Sequence, residues 1–142
     1  MDAPTPERLR RYSLFGGLID AQLDALIGRI RTESVPAGAV LMREGERGDR
    51  LYCLVEGEVE VRRGDRVLVR LGPGETLGEM EIIDMQPRSA TVTALTPCVL
   101  YGLALRDILA LQRSDLPAFT LVIMNLARDL SRRLRRMDGI PP

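Results

Sequence analysis

The chain contains no histidine among its 142 residues. A metal site with imidazole ligands is therefore excluded, and so is any Ser-His-Asp or Cys-His catalytic arrangement. The sequence also lacks a visible nucleophile paired with a general base, and it lacks a cluster of metal-ligating residues. We therefore expect a protein that is not an enzyme and that holds no metal.

The chain also has only two cysteines, no net charge and no long apolar run. Cys53 and Cys98 each stand in an apolar, strand-like run, so we expect two buried thiols in a reducing compartment. The 20 basic and 20 acidic residues cancel, which does not favour a polyanion as partner of the whole chain. No apolar run approaches the ~20 residues that span a membrane, and the start lacks the apolar core of a signal peptide. These features predict a cytoplasmic protein without a membrane span.

Periodicity divides the chain into three parts. We predict a single domain over residues 1–142, with N-terminal helices in 1–31, β-strands in 32–105 and C-terminal helices in 106–138. In the first part, one helix begins near Pro6. A second runs from Asp20, its expected N-cap, to Arg31, and both are expected only to pack against the strands.

The middle part consists of short apolar runs separated by glycines. The runs alternate in polarity or are rich in β-branched residues, as strands are. Arg63-Gly64-Asp65 predicts a hairpin, and Gly72-Pro73-Gly74 predicts a further turn. Many short strands at near-regular spacing favour a closed sandwich. The predicted fold class is mainly β with flanking helices, a double-stranded β-helix (jelly-roll) barrel with a long C-terminal helix. The predicted strands are 39–42, 51–55, 58–62, 66–70, 90–94 and 98–103.

The C-terminal part predicts a short helix from Asp107 to Gln112 and a long one from Leu116 to about Met137, with Ser114 as its cap. Apolar residues on the long helix are spaced close to a heptad seam, which favours a parallel homodimer through this helix. The seam consists of Phe119, Ile123, Leu126, Leu130, Leu134 and Met137.

Five arginines lie near the end of the long helix. Cations in this position are favoured by the helix dipole, so a solvated helix face explains them. An anionic partner such as nucleic acid or a membrane surface is the alternative that the sequence leaves open, and we disfavour it. The arginines are Arg128, Arg132, Arg133, Arg135 and Arg136.

Residues 78–91 combine a glycine, an acid and an arginine in one short segment. Gly78 lets the backbone approach a ligand or take a positive φ. Residues 80–85 can form one or two helical turns whose N–H groups favour an anion. Arg88 offers a planar fork of donors suited to phosphate oxygens, and Glu79 can accept hydrogen bonds from a sugar hydroxyl. One acid for a ribose and one arginine for a phosphate indicate a nucleotide.

The segment Gly-Glu-Met-(x)6-Pro-Arg-Ser-Ala-Thr resembles the phosphate-binding cassette of cyclic nucleotide-binding domains. These domains occur in catabolite activator-type regulators, cyclic-nucleotide-dependent kinases and cyclic-nucleotide-gated channels. The resemblance implies that Glu79 holds the ribose 2′-hydroxyl, while Arg88, Ser89 and the Ala90 N–H hold the cyclic phosphate. Glu81 departs from the family, which usually has a small residue there. The candidate ligand-binding residues are Gly78, Glu79, Met80, Arg88, Ser89, Ala90 and Thr91.

The sequence therefore predicts a non-enzymatic sensor of cAMP or cGMP that needs no other cofactor, with Ser89 leaving the choice of nucleotide open. Occupancy would rearrange the long helix and be passed to an unknown protein partner. Asn125 and Arg128 are the candidates for reaching the base, and Arg47 or Arg50 for reaching the pocket acid. The main alternative is a ligand-independent dimerisation or interaction module on the same fold with a degenerate pocket. A nucleic-acid-binding arginine tail is a weaker alternative.

Overall fold

A computed structural model describes residues 3–79 and 85–139. Strands occupy the middle of the chain, as predicted, and helices flank them. The strands are β1 (Arg31–Val35), β2 (Val40–Met42), β3 (Arg50–Glu56), β4 (Val59–Arg63), β5 (Arg66–Leu71), β6 (Thr76–Leu77), β7 (Thr91–Ala94) and β8 (Cys98–Ala104). The helices are α1 (Pro6–Leu9), α2 (Asp20–Ile27), α3 (Leu105–Ser114) and α4 (Leu116–Met137), with a 3-10 turn at Ser13–Phe15.

The strands form two antiparallel sheets. The first sheet has the order β1-β8-β3-β6 and the second has the order β2-β7-β4-β5. Non-consecutive neighbours in both sheets mean that the chain crosses repeatedly between them, which is the jelly-roll pattern. The predicted hairpin is confirmed, because Arg63 pairs with Arg66 across a turn of two residues. The predicted fold class is therefore confirmed.

Alternation along β3 separates two hydrophobic cores. Leu51 and Cys53 belong to the core between the first sheet and the helices, whereas Leu54 belongs to the core between the two sheets. Successive side chains of a strand point to opposite faces, so one strand serves both cores. The core between the sheets consists of Met42, Leu54, Val59, Leu71, Leu77, Val92, Ala94, Cys98 and Leu100.

The helices cover the outer face of the first sheet. Leu126 of α4 is fully buried there together with Phe15 and Ile108. The amide of Asn125 donates to the carbonyls of Leu14 and Gly16, both at 3.0 Å, and so ties α4 to the N-terminal turn. Within residues 3–79 and 85–139, no helix is both long and apolar enough to cross a bilayer.

Several boundaries differ from those predicted. Helix α2 ends at Ile27, not at Arg31, because Arg31 already pairs with Gly102 in the first sheet. Its N-cap position is Ile19, whose N–H donates to Gln22 Oε1 at 3.0 Å, so the prediction of Asp20 as cap is wrong by one residue. Ser114 does not cap α4 either, since its hydroxyl donates to Ala110 within α3.

Candidate functional site

A cavity of about 90 Å³ lies at one end of the core between the sheets. Apolar side chains of that core, among them Leu71 and Leu77, form its inner wall. Glu79 and Arg88 contribute the opposite charges of its outer wall, and Ser89 lies on the same wall. Of the described candidate residues, all but Thr91 line this cavity.

The backbone around Arg88 is fixed by the loop after β2. Gly45 N–H donates to the Arg88 carbonyl at 2.8 Å, and Arg88 N–H donates to the Glu46 carbonyl at 2.7 Å. The hydroxyl of Thr91 accepts from the Glu44 N–H at 3.0 Å. This polar loop between β2 and β3 thus holds the cassette in place through hydrogen bonds to Arg88 and Thr91.

The guanidinium of Arg88 lies over two glycines. A Cβ at either Gly48 or Gly78 would collide with it, and Gly78 also has φ of +86°. Arg88 Nη2 donates to the Arg50 carbonyl at 3.3 Å. The predicted positive φ of Gly78 is therefore confirmed, and the group that lies close to it in this structure is the guanidinium of Arg88.

Glu79 is almost completely buried, with 3% of its surface exposed. Its Oε1 accepts a hydrogen bond from Nη1 of Arg133, on helix α4. Its Oε2 is buried and has no hydrogen-bond partner among residues 3–79 and 85–139. Burial raises the pKa of Glu79 above its ordinary value, although the Arg133 charge acts in the opposite direction.

Arg133 is the site residue that the sequence did not single out. Its Nη2 donates to the Thr76 carbonyl at 2.6 Å, and only 13% of its side chain is exposed. One turn later, Arg136 makes a two-pronged ion pair with Glu75 at 2.7 and 2.8 Å. The interpretation of the arginine cluster as a solvated face is therefore wrong for Arg133.

A second, more apolar cavity of about 330 Å³ lies between the second sheet and the end of α4. It shares part of its wall with the first cavity, including Glu79 and Arg133. The side chains that α4 contributes to it are Leu130, Arg133, Leu134 and Met137.

The remaining predicted site residues have mixed outcomes. Ala90 lines both cavities. Thr91 lines neither, and its hydroxyl accepts a hydrogen bond from Glu44 in the loop after β2. Met80 lies outside the described residues, as do Glu81 and the expected helical turns. Asn125 cannot reach the base from its place against the N-terminal turn, so that prediction is wrong.

Arg128 also lies away from both cavities and donates to Asn125 Oδ1 at 3.4 Å. The prediction that it reaches the base is therefore wrong as well. The acid of the pocket is met by Arg133 and not by the side chain of Arg47 or Arg50. Arg133 lies seven residues after buried Leu126 and so on the same helix face, but the sequence does not show that this face meets the barrel.

The family model for the cyclic nucleotide-binding domain matches residues 32–115, more than half of the chain. The chain belongs to the cyclic nucleotide-binding domain family. A cyclic AMP receptor protein of Thermus thermophilus is 38% identical over 130 residues, which are 88% of this chain and 58% of that protein. A cyclic nucleotide-gated potassium channel of Mesorhizobium japonicum is 46% identical over 94 residues, which are 66% of this chain and 26% of the channel.

Solved structures agree with this membership. A cyclic nucleotide-binding domain from Methylobacillus flagellatus superposes with a TM-score of 0.81 at 26% identity, covering 92% of this chain and 76% of that one. The catabolite activator protein of Thermus thermophilus gives a TM-score of 0.72 at 37% identity, covering 89% and 60%. The chain spans less than two thirds of the length of each of the two curated relatives named above.

Proposed function

We propose that this chain is a non-enzymatic sensor that binds cAMP or cGMP between Glu79 and Arg88. The observation that carries the proposal is that these two residues line one cavity. They supply the acceptor that a ribose hydroxyl needs and the fork of donors that a cyclic phosphate needs. The curated relatives described above are named for cyclic AMP reception and for cyclic nucleotide gating, which supports the same class of ligand.

A phosphate would be a stronger partner for Arg88 than the group that its guanidinium contacts in this structure. Its guanidinium now donates to the neutral carbonyl of Arg50, and a hydrogen bond to an anionic phosphate oxygen is roughly twice as strong as one to a neutral acceptor. An incoming phosphate is therefore the stronger acceptor for this fork of five N–H donors. Ser89, on the same wall, adds a hydroxyl to the phosphate subsite.

The size of the cavities links binding to helix α4. The first cavity holds about 90 Å³, whereas pockets for small molecules enclose roughly 300–1,000 Å³. A nucleotide must therefore open the first cavity towards the second, whose apolar wall on α4 suits the flat base. Since Arg133 belongs to both walls, opening displaces α4 and provides the signal.

We further propose that α4 mediates a homodimer in the cytoplasm. Of the expected seam, Leu126 is buried against the chain's own core. The large apolar residues of α4 that are more than a third exposed are Leu116, Met124, Leu134 and Met137. A second copy covering them is the simplest way to remove this surface from water. Both cysteines are free and buried, which suits a reducing compartment.

Calorimetric titration with cAMP and with cGMP tests the proposal. The protein is first unfolded, stripped of nucleotide and refolded, because a tightly bound host nucleotide would hide the binding. We expect saturable binding of at least one nucleotide, and the tighter of the two identifies the signal. A folded protein that binds neither would leave the alternative of a ligand-independent interaction module.

A further inference from the structure

We propose that a cleft behind Arg88 binds a small phosphate-type anion, and that this anion lowers the affinity of the neighbouring cavity for a cyclic nucleotide. The cleft, about 240 Å³ in volume, lies between strand β2, Tyr52 and the loop of residues 43–49. It shares Met42 and Arg88 with the first cavity. The anion site itself is independent of the proposed function, whereas its effect on nucleotide binding rests on that function.

The charges of the cleft favour an anion. Three arginines and two acids line it, so one positive charge remains. Arg43 Nε lies 3.6 Å from Glu46 Oε1, and these two charges largely offset each other. Arg47 is exposed, and no ion pair joins it to an acid in the described part of the chain. Arg47 and Arg88 therefore face a single remaining acid, Asp49, in this cleft.

The guanidinium of Arg88 lies between the cleft and the first cavity. Gly48 lines the cleft, and a Cβ there would collide with Nη2 of Arg88. Gly78 lines the first cavity, and a Cβ there would collide with Nη1. The two ends of the fork thus lie against different binding surfaces. An anion in the cleft engages the Nη2 end, and fewer donors then remain for the phosphate of a nucleotide.

The loop that carries Arg47 is held at both ends. Two backbone hydrogen bonds join it to Arg88, and the Leu105 N–H donates to the Asp49 carbonyl at 2.8 Å. These contacts order the backbone from which the Arg47 side chain projects. A site whose backbone is already ordered loses less conformational entropy when a ligand binds.

Tyr52 adds a neutral donor to the cleft. Burial raises the pKa of its hydroxyl above the ordinary value, and the charge of Glu33 acts in the same direction. The hydroxyl therefore keeps its proton at neutral pH and can donate to an oxygen of an anion. Arginine forks together with a hydroxyl are donors that suit phosphate oxygens.

Other effects of phosphate would have a different signature. If the loop charges formed only a solvated surface, phosphate would act through screening, and chloride of equal ionic strength would have the same effect. If phosphate entered the first cavity, it would compete with the nucleotide without any need for Arg47. Arg47 lines the cleft and neither of the two cavities. The variant Arg47→Gln therefore separates these cases.

Phosphorus NMR on the full, nucleotide-stripped chain tests the site directly. The probes are inorganic phosphate and glycerol phosphate, because the anion can be free or part of an ester, and the tighter probe identifies the source. At fixed ionic strength we expect a saturable shift of at least one phosphorus resonance. Arg47→Gln should weaken this binding by a factor on the order of 10, since a charge-assisted hydrogen bond is lost. Arg66→Gln, an exposed arginine outside the cleft and both cavities, should retain it.

Calorimetry then measures the coupling to the nucleotide. The titration with cyclic nucleotide is carried out with the tighter probe near saturation and, for comparison, with chloride at the same ionic strength. The probe should weaken nucleotide binding to the wild type by about five-fold or more. It should weaken binding to Arg47→Gln by less than about two-fold. Thermal unfolding checks that both variants are folded.

The outcomes separate this inference from the proposed function. No saturable binding of either probe, or equal binding by the wild type and Arg47→Gln, overturns the anion site. An anion that binds in the cleft but leaves nucleotide affinity as it is in chloride overturns the coupling. A wild type that binds neither cyclic nucleotide contradicts the proposed function, and the phosphorus NMR result still decides whether the cleft is an anion site.

Discussion

At the scale of single residues, the site combines a buried carboxylate, Glu79, with a half-buried guanidinium, Arg88, and each contacts another group of the chain. Glu79 is met by Arg133, and Arg88 is directed at a backbone carbonyl. A charge that is removed from water costs free energy unless it is paired and hydrogen-bonded, so these contacts offset part of that cost. A nucleotide competes with these contacts. Its binding free energy is therefore the difference between the free energy of the contacts it makes and that of the contacts it weakens.

The raised pKa of Glu79 predicts that nucleotide affinity depends on pH. The ionised carboxylate is the form that accepts a ribose hydroxyl, and burial shifts its protonation to a higher pH than that of an ordinary carboxyl. Affinity should therefore fall as the pH is lowered towards the raised pKa of Glu79, and the chain has no histidine that could contribute to this dependence. Calorimetry at a series of pH values measures the effect.

The variant Glu79→Gln is the control for this pH dependence. It removes the titrating carboxyl at nearly constant volume, so whatever affinity remains should be independent of pH over the same series. Using cGMP alongside cAMP guards against titration of the base itself. Wild-type affinity that depends on pH no more than the affinity of Glu79→Gln does would contradict the assigned role of Glu79.

Residue chemistry explains why only half of this site could be predicted. Glu79 and Arg88 lie in one short segment, so their types and spacing carry the information. Arg133 lies 54 residues after Glu79 in the sequence, and periodicity alone does not say which of five arginines turns towards the barrel. Asn125 was misassigned for the related reason that a polar residue on the buried face also suits a contact with backbone carbonyls.

At the scale of elements, the sequence predicted the helices and strands whose hydrophobic residues recur regularly, and it missed those without a regular pattern. The long helix was predicted to within its observed limits, Leu116 to Met137, because its apolar pattern continues over six turns. Strand β1 was missed since its sequence, Arg-Thr-Glu-Ser-Val, is mostly polar, and it lies at a sheet edge. Strand β6 has two residues, too few for any pattern. Strands whose stability comes from tertiary pairing leave little trace in the local sequence.

The start of α4 yields a prediction about stability. The carboxylate of Asp115 accepts from the Ala118 N–H at 3.1 Å as a helix cap, and it also accepts from Gln22 Nε2 at 3.2 Å. Removal of a cap typically costs about 1 kcal/mol. Asp115→Ala should therefore lower the free energy of unfolding by at least about that amount, as measured by urea denaturation.

Ser114→Ala is the matched control for the cap. Its hydroxyl donates within α3 to the Ala110 carbonyl, so its loss should change the free energy of unfolding by less than about 0.5 kcal/mol. Equal losses in the two variants would show that Asp115 is not the cap that holds the helix start.

At the scale of the whole molecule, helix α4 connects the cavities to the exposed surface. One side of it contributes Arg133 and Leu130 to the cavity walls, while Met124, nine residues before Arg133 and therefore on the opposite side, is 45% exposed. A displacement caused by a nucleotide on the first side would alter what the second side presents. Sensing and assembly would then share one helix.

If the exposed side of α4 forms the dimer interface, a charged side chain introduced there should prevent dimerisation. If a second copy covers this side, Met124→Glu introduces an unpaired carboxylate into the interface and should yield a monomer. Sedimentation equilibrium measures the mass. Leu109→Glu, at an exposed position of α3, is the control and should remain dimeric with the wild type. A monomeric wild type, or a dimeric Met124→Glu protein, would contradict a dimer through this side of α4.

The most direct test of the sensor is titration of Arg88→Ala with the nucleotide that binds the wild type. Arg43→Ala is its control, because Arg43 pairs with Glu46 outside the two cavities described above. Loss of the fork of charge-assisted hydrogen bonds to the phosphate should weaken binding by a factor on the order of 100 or more, with the cooperative unfolding transition preserved. Arg43→Ala should bind like the wild type. If Arg88→Ala kept wild-type affinity, Arg88 would not bind the phosphate, and the assignment of this cavity to a cyclic nucleotide would be wrong.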